Sequence, residues 1–279
     1  CALVVEAVFE DSGVKKDATE KAEAVLKSSA IFASNTSTIP ITALAKNSAR
    51  PKNFIGIHFF SPVDKMMLVE IILGKKTGDK ALAVAIDYVR AIRKTPIVVN
   101  DTRGFYVNRC VLRYMSEAYK MLIEGVPAPM IENAARAAGM PVGPLALTDE
   151  TAVDLAQKIM KQTIRDLGEK AVDPRQMELI NTMVDKFDRK GRKNGKGFYD
   201  YPAKPAKKSL WPGLKDLYPQ KRPEDVDYEE LKRRLLVVIA LEAARVMEEG
   251  IVTDPREADV GSILAFGFAP YTGGALSYI

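Results

Sequence analysis

The chain has 279 residues, 47% hydrophobic and 28% charged, the balance of a globular protein long enough for two or three domains. Its formal charge is +5, but lysines and arginines alternate with acids and form no basic stripe interleaved with aromatics. That excludes a nucleic-acid-binding surface and leaves a mild bias toward an anionic ligand. No apolar run reaches the ~20 residues of a membrane-spanning helix. Two cysteines, Cys1 and Cys110, cannot build a disulfide framework and point to a reducing compartment, and no Cys/His cluster has metal-ligand spacing.

Residues 2–9, ALVVEAVF, read as a buried strand. The chain opens inside this strand and without methionine, so residue 1 is not expected to be the natural start. DSGVKKDATEKAEAVLKSSA then has helical spacing, with Ala22, Ala24, Val25 and Leu26 set against a charged face. IFASNTST is a second strand ending in a polar tip, and PITALAKNSAR a short helix with Pro40 near its start, where a missing N–H costs little. NFIGIHFF, MLVEIIL and PIVVN are three further strands. Strands alternating with helices predict a parallel sheet with crossover helices, whose ligands sit beyond the carboxyl ends of the strands. Three polar clusters fall on that rim: Glu6 to Glu10, Ser34 to Ser37, and His58 to Ser61.

After NDTRGF the alternation stops. VNRCVLRYMSEAYKMLIEG is a long amphipathic helix with Val107, Val111, Met115, Ala118 and Leu122 on one side and Gly125 as its stop. Helices continue to about residue 187, and GRKNGKGFYDY is a glycine-rich connector. SEAYKMLIEGVPAP matches LEAARVMEEGIVTDP, with Glu117–Gly125 and Glu242–Gly250 equally spaced, as in an internal duplication. The expected division is the later part of a Rossmann-type domain over 1–100, a helical domain over 101–202, a loosely ordered linker over 203–225 and a second, duplicate helical domain over 226–279.

His58, the chain's one histidine, lies near a strand end, and Glu70 lies twelve residues on in an apolar strand. A Ser-Pro loop between them could return the next strand alongside. A carboxylate beside one ring nitrogen fixes the tautomer and frees the other to take a proton; a satisfied core histidine is the competing reading. Ser37 either binds a substrate oxygen or caps the helix at Pro40. Asn108 either reaches the cleft or is a surface or capping residue. GRKNGKGF lacks the phosphate-loop pattern, and no G-x-G-x-x-G occurs in the chain.

VVEAVFED, IFASNTSTIPI, IGIHFFSPVDKMMLVEII, DTRGFYVNR and KNGKGFYDY, in that order, resemble the L-3-hydroxyacyl-CoA dehydrogenases. HFFSPVDKM and the duplicated helical region resemble the dehydrogenase part of multifunctional fatty acid β-oxidation proteins. The resemblance implies NAD-dependent oxidation of (S)-3-hydroxyacyl-CoA to 3-oxoacyl-CoA. His58 matches the catalytic base, Glu70 the residue that orients it, and Ser37 and Asn108 the contacts to the substrate oxygen. Glu10, Lys15, Asn35, Ser37, Ser61 and Lys193 match cofactor-binding positions, Ser61 standing where many monofunctional members carry asparagine. Acyl-CoA is the implied substrate and a thiolase subunit the implied partner; bacterial cytoplasm is the expected compartment, ahead of a mitochondrial or peroxisomal matrix. The family's first βαβ unit, with its glycine fingerprint, is expected to precede residue 1, so the chain reads as an internal fragment that binds NAD poorly or not at all. A monofunctional 3-hydroxybutyryl-CoA dehydrogenase and a catalytically silent acyl-CoA-binding module are the alternatives.

Overall fold

The computed structural model describes residues 2–203 and 205–279, which fall into two compact units. The first comprises residues 1–111 and 240–279, and the second residues 112–239. Cys1 lies outside the described residues; Cys110 is a buried free thiol.

The first unit is built on a five-stranded sheet of order β1 (Leu3–Glu6), β2 (Ile31–Ser34), β3 (Phe54–Phe59), β4 (Leu68–Leu73), β5 (Thr95–Asn100). β1, β2 and β3 are parallel, and β5 is parallel to β4. β4 runs antiparallel to β3, so the sheet is parallel apart from this one pair, where the Ser-Pro loop returns the chain alongside. The reason is the connection, residues 60–67, which is too short for a crossover. A crossover returns only with α3 (Asp79–Ala91), between β4 and β5. Ile55, Ile57, Val69 and Ile71 on one sheet face pack with Ala81, Ala85 and Val89 of α3 in a sealed apolar cluster. Each isoleucine or valine side chain there contributes roughly 1.5–3 kcal/mol when fully buried.

Two expectations about element detail are corrected. β1 ends at Glu6, not at residue 8 or 9, because the Glu6 carboxylate turns back to accept the Val8 N–H at 2.9 Å. In α1 (Ser12–Val25) the inward face is not the Ala24–Val25 side, since Val25 is 85% exposed. Lys15 and Thr19 are the buried residues of that helix. They lie four apart, one helical turn, and so share a face.

α4 (Val107–Ile123) and α9 (Tyr228–Glu248) each run from one unit into the other. α10 (Pro255–Phe266) belongs to the first unit. The second unit holds α5 (Ala128–Ala137), α6 (Pro144–Thr151), α7 (Val153–Leu167) and α8 (Pro174–Asn181). A two-stranded ribbon, β6 (Tyr199–Asp200) with β7 (Ser209–Leu210), follows, so the stretch expected as linker carries local structure. The glycine-rich connector is fixed by Asp149, whose carboxylate accepts the N–H groups of Phe198 and Tyr199, both at 2.8 Å. Burial pushes the Asp149 carboxyl up to about 6 against those hydrogen bonds. Among the described residues no helix is long and apolar enough to cross a membrane, and no group of His, Cys, Asp or Glu is arranged to hold a metal ion.

Candidate active site

In the antiparallel pair β3–β4, His58 and Glu70 are direct register partners. Residues facing each other across such a pair project to the same side of the sheet. His58 Nδ1 lies 2.8 Å from Glu70 Oε2, with the carboxylate side chain fully buried and the imidazole nearly so. In the neutral imidazole this places the proton on Nδ1 and leaves a lone pair on Nε2. Nε2 has no partner among the described residues and is not sealed from solvent. Phe60 and Phe105 flank the ring at centroid distances of 4.5 and 5.8 Å.

Glu70 is held from the other side as well. Its Oε1 accepts the backbone N–H groups of Tyr106 at 3.1 Å and Val107 at 2.9 Å. Those donors begin α4, and the turn before them has two residues of positive φ, Gly104 at 73° and Phe105 at 51°. The second is costly for a bulky residue, of order 1–3 kcal/mol, and such strain collects at functional sites. It turns Phe105, which is sealed from solvent, against the imidazole and brings the next two N–H groups onto Glu70.

Ser37 does not cap the helix after Pro40. That end is served by Asp101, whose carboxylate accepts the N–H groups of Ile41 at 2.8 Å and Thr42 at 2.7 Å. The Ser37 hydroxyl makes no hydrogen bond among the described residues, while its carbonyl accepts the Asn108 side-chain N–H at 2.9 Å. Asn35 accepts the N–H of Phe59, beside His58, at 3.0 Å. The ends of β2 and β3 and the start of α4 are thus tied together by side-chain to backbone bonds.

Glu10 and Lys15 organise the same rim. One Glu10 oxygen accepts the Thr36 hydroxyl at 2.7 Å and the N–H groups of Ser37 and Thr38, both at 2.9 Å. Burial pushes the Glu10 carboxyl up, but these hydrogen bonds and the Lys15 charge outweigh it, and the net shift is downward. Lys15, 1% exposed, bonds Glu6 at 3.0 Å and lies 3.4 Å from Glu10. Ser34 also donates to Glu6. Ser61 is exposed and precedes Pro62 in a cis bond. Lys193 belongs to the second unit, where it pairs with Asp154 at 2.5 Å.

The rim offers a cofactor an open hydroxyl at Ser37, the Glu10 carboxylate as an acceptor, and the 80% exposed ring of Phe9, the residue before Glu10. The chain has no G-x-G-x-x-G turn, the usual cradle for a pyrophosphate.

Comparison with known proteins decides the family. Residues 1–102 match the family model described as the NAD binding domain of 3-hydroxyacyl-CoA dehydrogenase, and residues 104–201 match that of its C-terminal domain. The crystal structure of an (S)-3-hydroxybutyryl-CoA dehydrogenase from Ralstonia eutropha is 34% identical over 72% of this chain and 71% of that one, with a TM-score of 0.66. The chain belongs to the 3-hydroxyacyl-CoA dehydrogenase family. The fatty acid oxidation complex subunit alpha of Shewanella loihica is 43% identical over 99% of the chain, which spans 39% of that relative's length. The dehydrogenase part of multifunctional enzyme 1 from C. elegans is 28% identical over 96% of this chain and 61% of that one, with a TM-score of 0.66.

Membership in the dehydrogenase family agrees with the fold read from the sequence, a Rossmann-like sheet followed by helices. Sequence reasoning missed Tyr106, Val107 and Asp101. Two act through backbone N–H groups, which every residue type supplies, and the third is a carboxylate that caps a helix sixty residues away in sequence.

Proposed function

We propose that this chain carries the proton-transfer site of an NAD-dependent (S)-3-hydroxyacyl-CoA dehydrogenase acting in fatty acid β-oxidation. The observation that carries the reading is the His58–Glu70 pair at 2.8 Å with the second ring nitrogen left open. Bound NAD would supply the hydride acceptor, with Glu10, Asn35, Ser37 and Ser61 at its ring end and Lys15 fixing Glu10. His58 Nε2 takes the proton from the substrate's 3-hydroxyl as the bond from carbon 3 to hydrogen gives up its electron pair. The Ser37 hydroxyl and the Asn108 side chain hold that oxygen. Glu70 offsets the charge on the imidazolium, and in the reverse direction His58 returns the proton. A silent binding module has no need for a buried carboxylate locked onto an open imidazole.

The whole protein is proposed to be a subunit of a fatty acid oxidation complex in a bacterial cytoplasm, with acyl-CoA as substrate and a thiolase subunit as partner. The names of the Shewanella and C. elegans relatives, each matched along nearly the whole chain, support this over the monofunctional alternative. The test is NADH-dependent reduction of acetoacetyl-CoA by the product of the full open reading frame. Turnover is expected; acyl-CoA binding without turnover would replace the dehydrogenase with a binding module.

A further inference from the structure

β5 is an edge strand, and residues 240–279 cover that edge. The Val98 N–H donates to Glu257 at 3.2 Å and the Asn100 N–H to the Ile251 carbonyl at 2.7 Å. The Asn100 side chain reaches the Gly250 carbonyl at 2.7 Å. The same segment grips the turn that follows. The Tyr106 hydroxyl donates to the Ala258 carbonyl, on α10, at 2.8 Å. One turn further along α10, a Cβ on Gly261 would stand 3.1 Å from the Tyr106 ring and 2.9 Å from the tip of Ile97, so the ring packs closely against the glycine and a side chain there would press on it. Tyr106 is fully buried, and burial pushes its hydroxyl far up, which keeps it a donor.

The other end of the same residue touches the candidate site, because the Tyr106 N–H donates to Glu70 Oε1. We propose that Tyr106 is a positioning residue of the dehydrogenase, through which α10 sets the Glu70 carboxylate against His58. The inference rests on the dehydrogenase reading. The ring is clamped at its hydroxyl by Ala258 and at its edge by Gly261, so the peptide N–H of Tyr106 has a fixed place. The strained Phe105 next to it is thereby held in its left-handed conformation. The C-terminal segment is then a working part of the catalytic unit and not only a second helical module.

The test uses the product of the full open reading frame and the reduction of acetoacetyl-CoA by NADH. Tyr106→Phe removes one hydrogen bond and keeps the ring, and kcat is expected to fall about three- to tenfold with both KM values unchanged. In a Glu70→Ala background the same change is expected to cost nothing further, because the group it acts through is gone. Gly261→Ala, which pushes the ring from the α10 side, is expected to behave likewise. Unchanged kcat in Tyr106→Phe, or the same fold-loss with and without Glu70, would overturn the inference while leaving the dehydrogenase reading intact. A wild type without turnover removes both.

Discussion

Glu70 commits both of its oxygens inside the protein, one to His58 and the other to two backbone N–H groups. A carboxylate so held cannot swing away, and it stays next to the ring that becomes positive in the proposed reaction. Glu70→Gln keeps the shape but removes the charge and the tautomer preference; we expect a loss in kcat on the order of 10²-fold or more in steady-state assays of the complete protein. Lys15 poses a stability question instead. With Lys15 and Glu6 both buried, Lys15→Met leaves the Glu6 carboxylate without its cation. Breaking a buried pair in this way costs about 3–5 kcal/mol, which urea denaturation would read as a lowered midpoint at unchanged slope. Glu10 sets a pH dependence. Its folded carboxyl is held below its ordinary value, so its contribution is fully present above the unfolded pKa and is lost as pH falls through the folded one. The stability gap between wild type and Glu10→Gln should therefore be constant near neutrality and close in acid; a gap that widened in acid would contradict the geometry around Thr36 to Thr38.

Among the elements, the strands were legible because their apolar runs are short, β-branched and bounded by polar tips. The reversal at β4 is also implicit in the sequence, since residues 60–67 hold no helix long enough to carry a crossover. The inward face of α1 was not legible. It is lined by a lysine and a threonine, and hydropathy cannot announce a lysine whose charge is met by Glu6. Asp101 at the start of α2 (Ile41–Leu44) was hidden for a similar reason, the cap being sixty residues away in sequence. The repeat suspected from Glu117–Gly125 and Glu242–Gly250 has a counterpart in ion pairing. Arg109 pairs with Glu242 at 2.7 Å and with Glu249. Arg234, 125 residues later, pairs with Glu117 at 2.6 Å and Glu124 at 2.7 Å. Burial is mixed within both sets: the Glu242 side chain is 2% exposed and Glu249 50%, Glu117 15% and Glu124 31%, and Glu242 also faces Arg245 at 3.3 Å. Only Glu242 is sealed, and Arg245 still faces it, so Arg109→Met should cost about 2 kcal/mol and Arg234→Met about 1, a difference visible in denaturation midpoints. Equal losses would mean that burial does not set the strength of these pairs.

At the scale of the whole chain, the sequence suggests a sheet domain followed by two helical modules. The observed grouping is different in one respect: residues 240–279 cluster with the sheet. The contacts responsible, from Ile251, Glu257 and Ala258, are mostly to or from backbone atoms and carry no sequence signal. The site itself was legible at His58 and Glu70, because an imidazole and a carboxylate in apolar strands must find partners. Ser37 and Asn108 were legible only as candidates, since a hydroxyl and an amide have many structural uses. The chain spans 39% of its Shewanella relative, so its chemistry is best measured in the complete protein. The central claim is that His58 accepts the substrate proton. The measurement is kcat/KM for acetoacetyl-CoA reduction by NADH, wild type against His58→Gln, in the product of the full open reading frame. The account predicts a loss of at least about 10²-fold with NADH binding unchanged. Equal activity in the two proteins would contradict it and return His58 to the role of a buried strand residue.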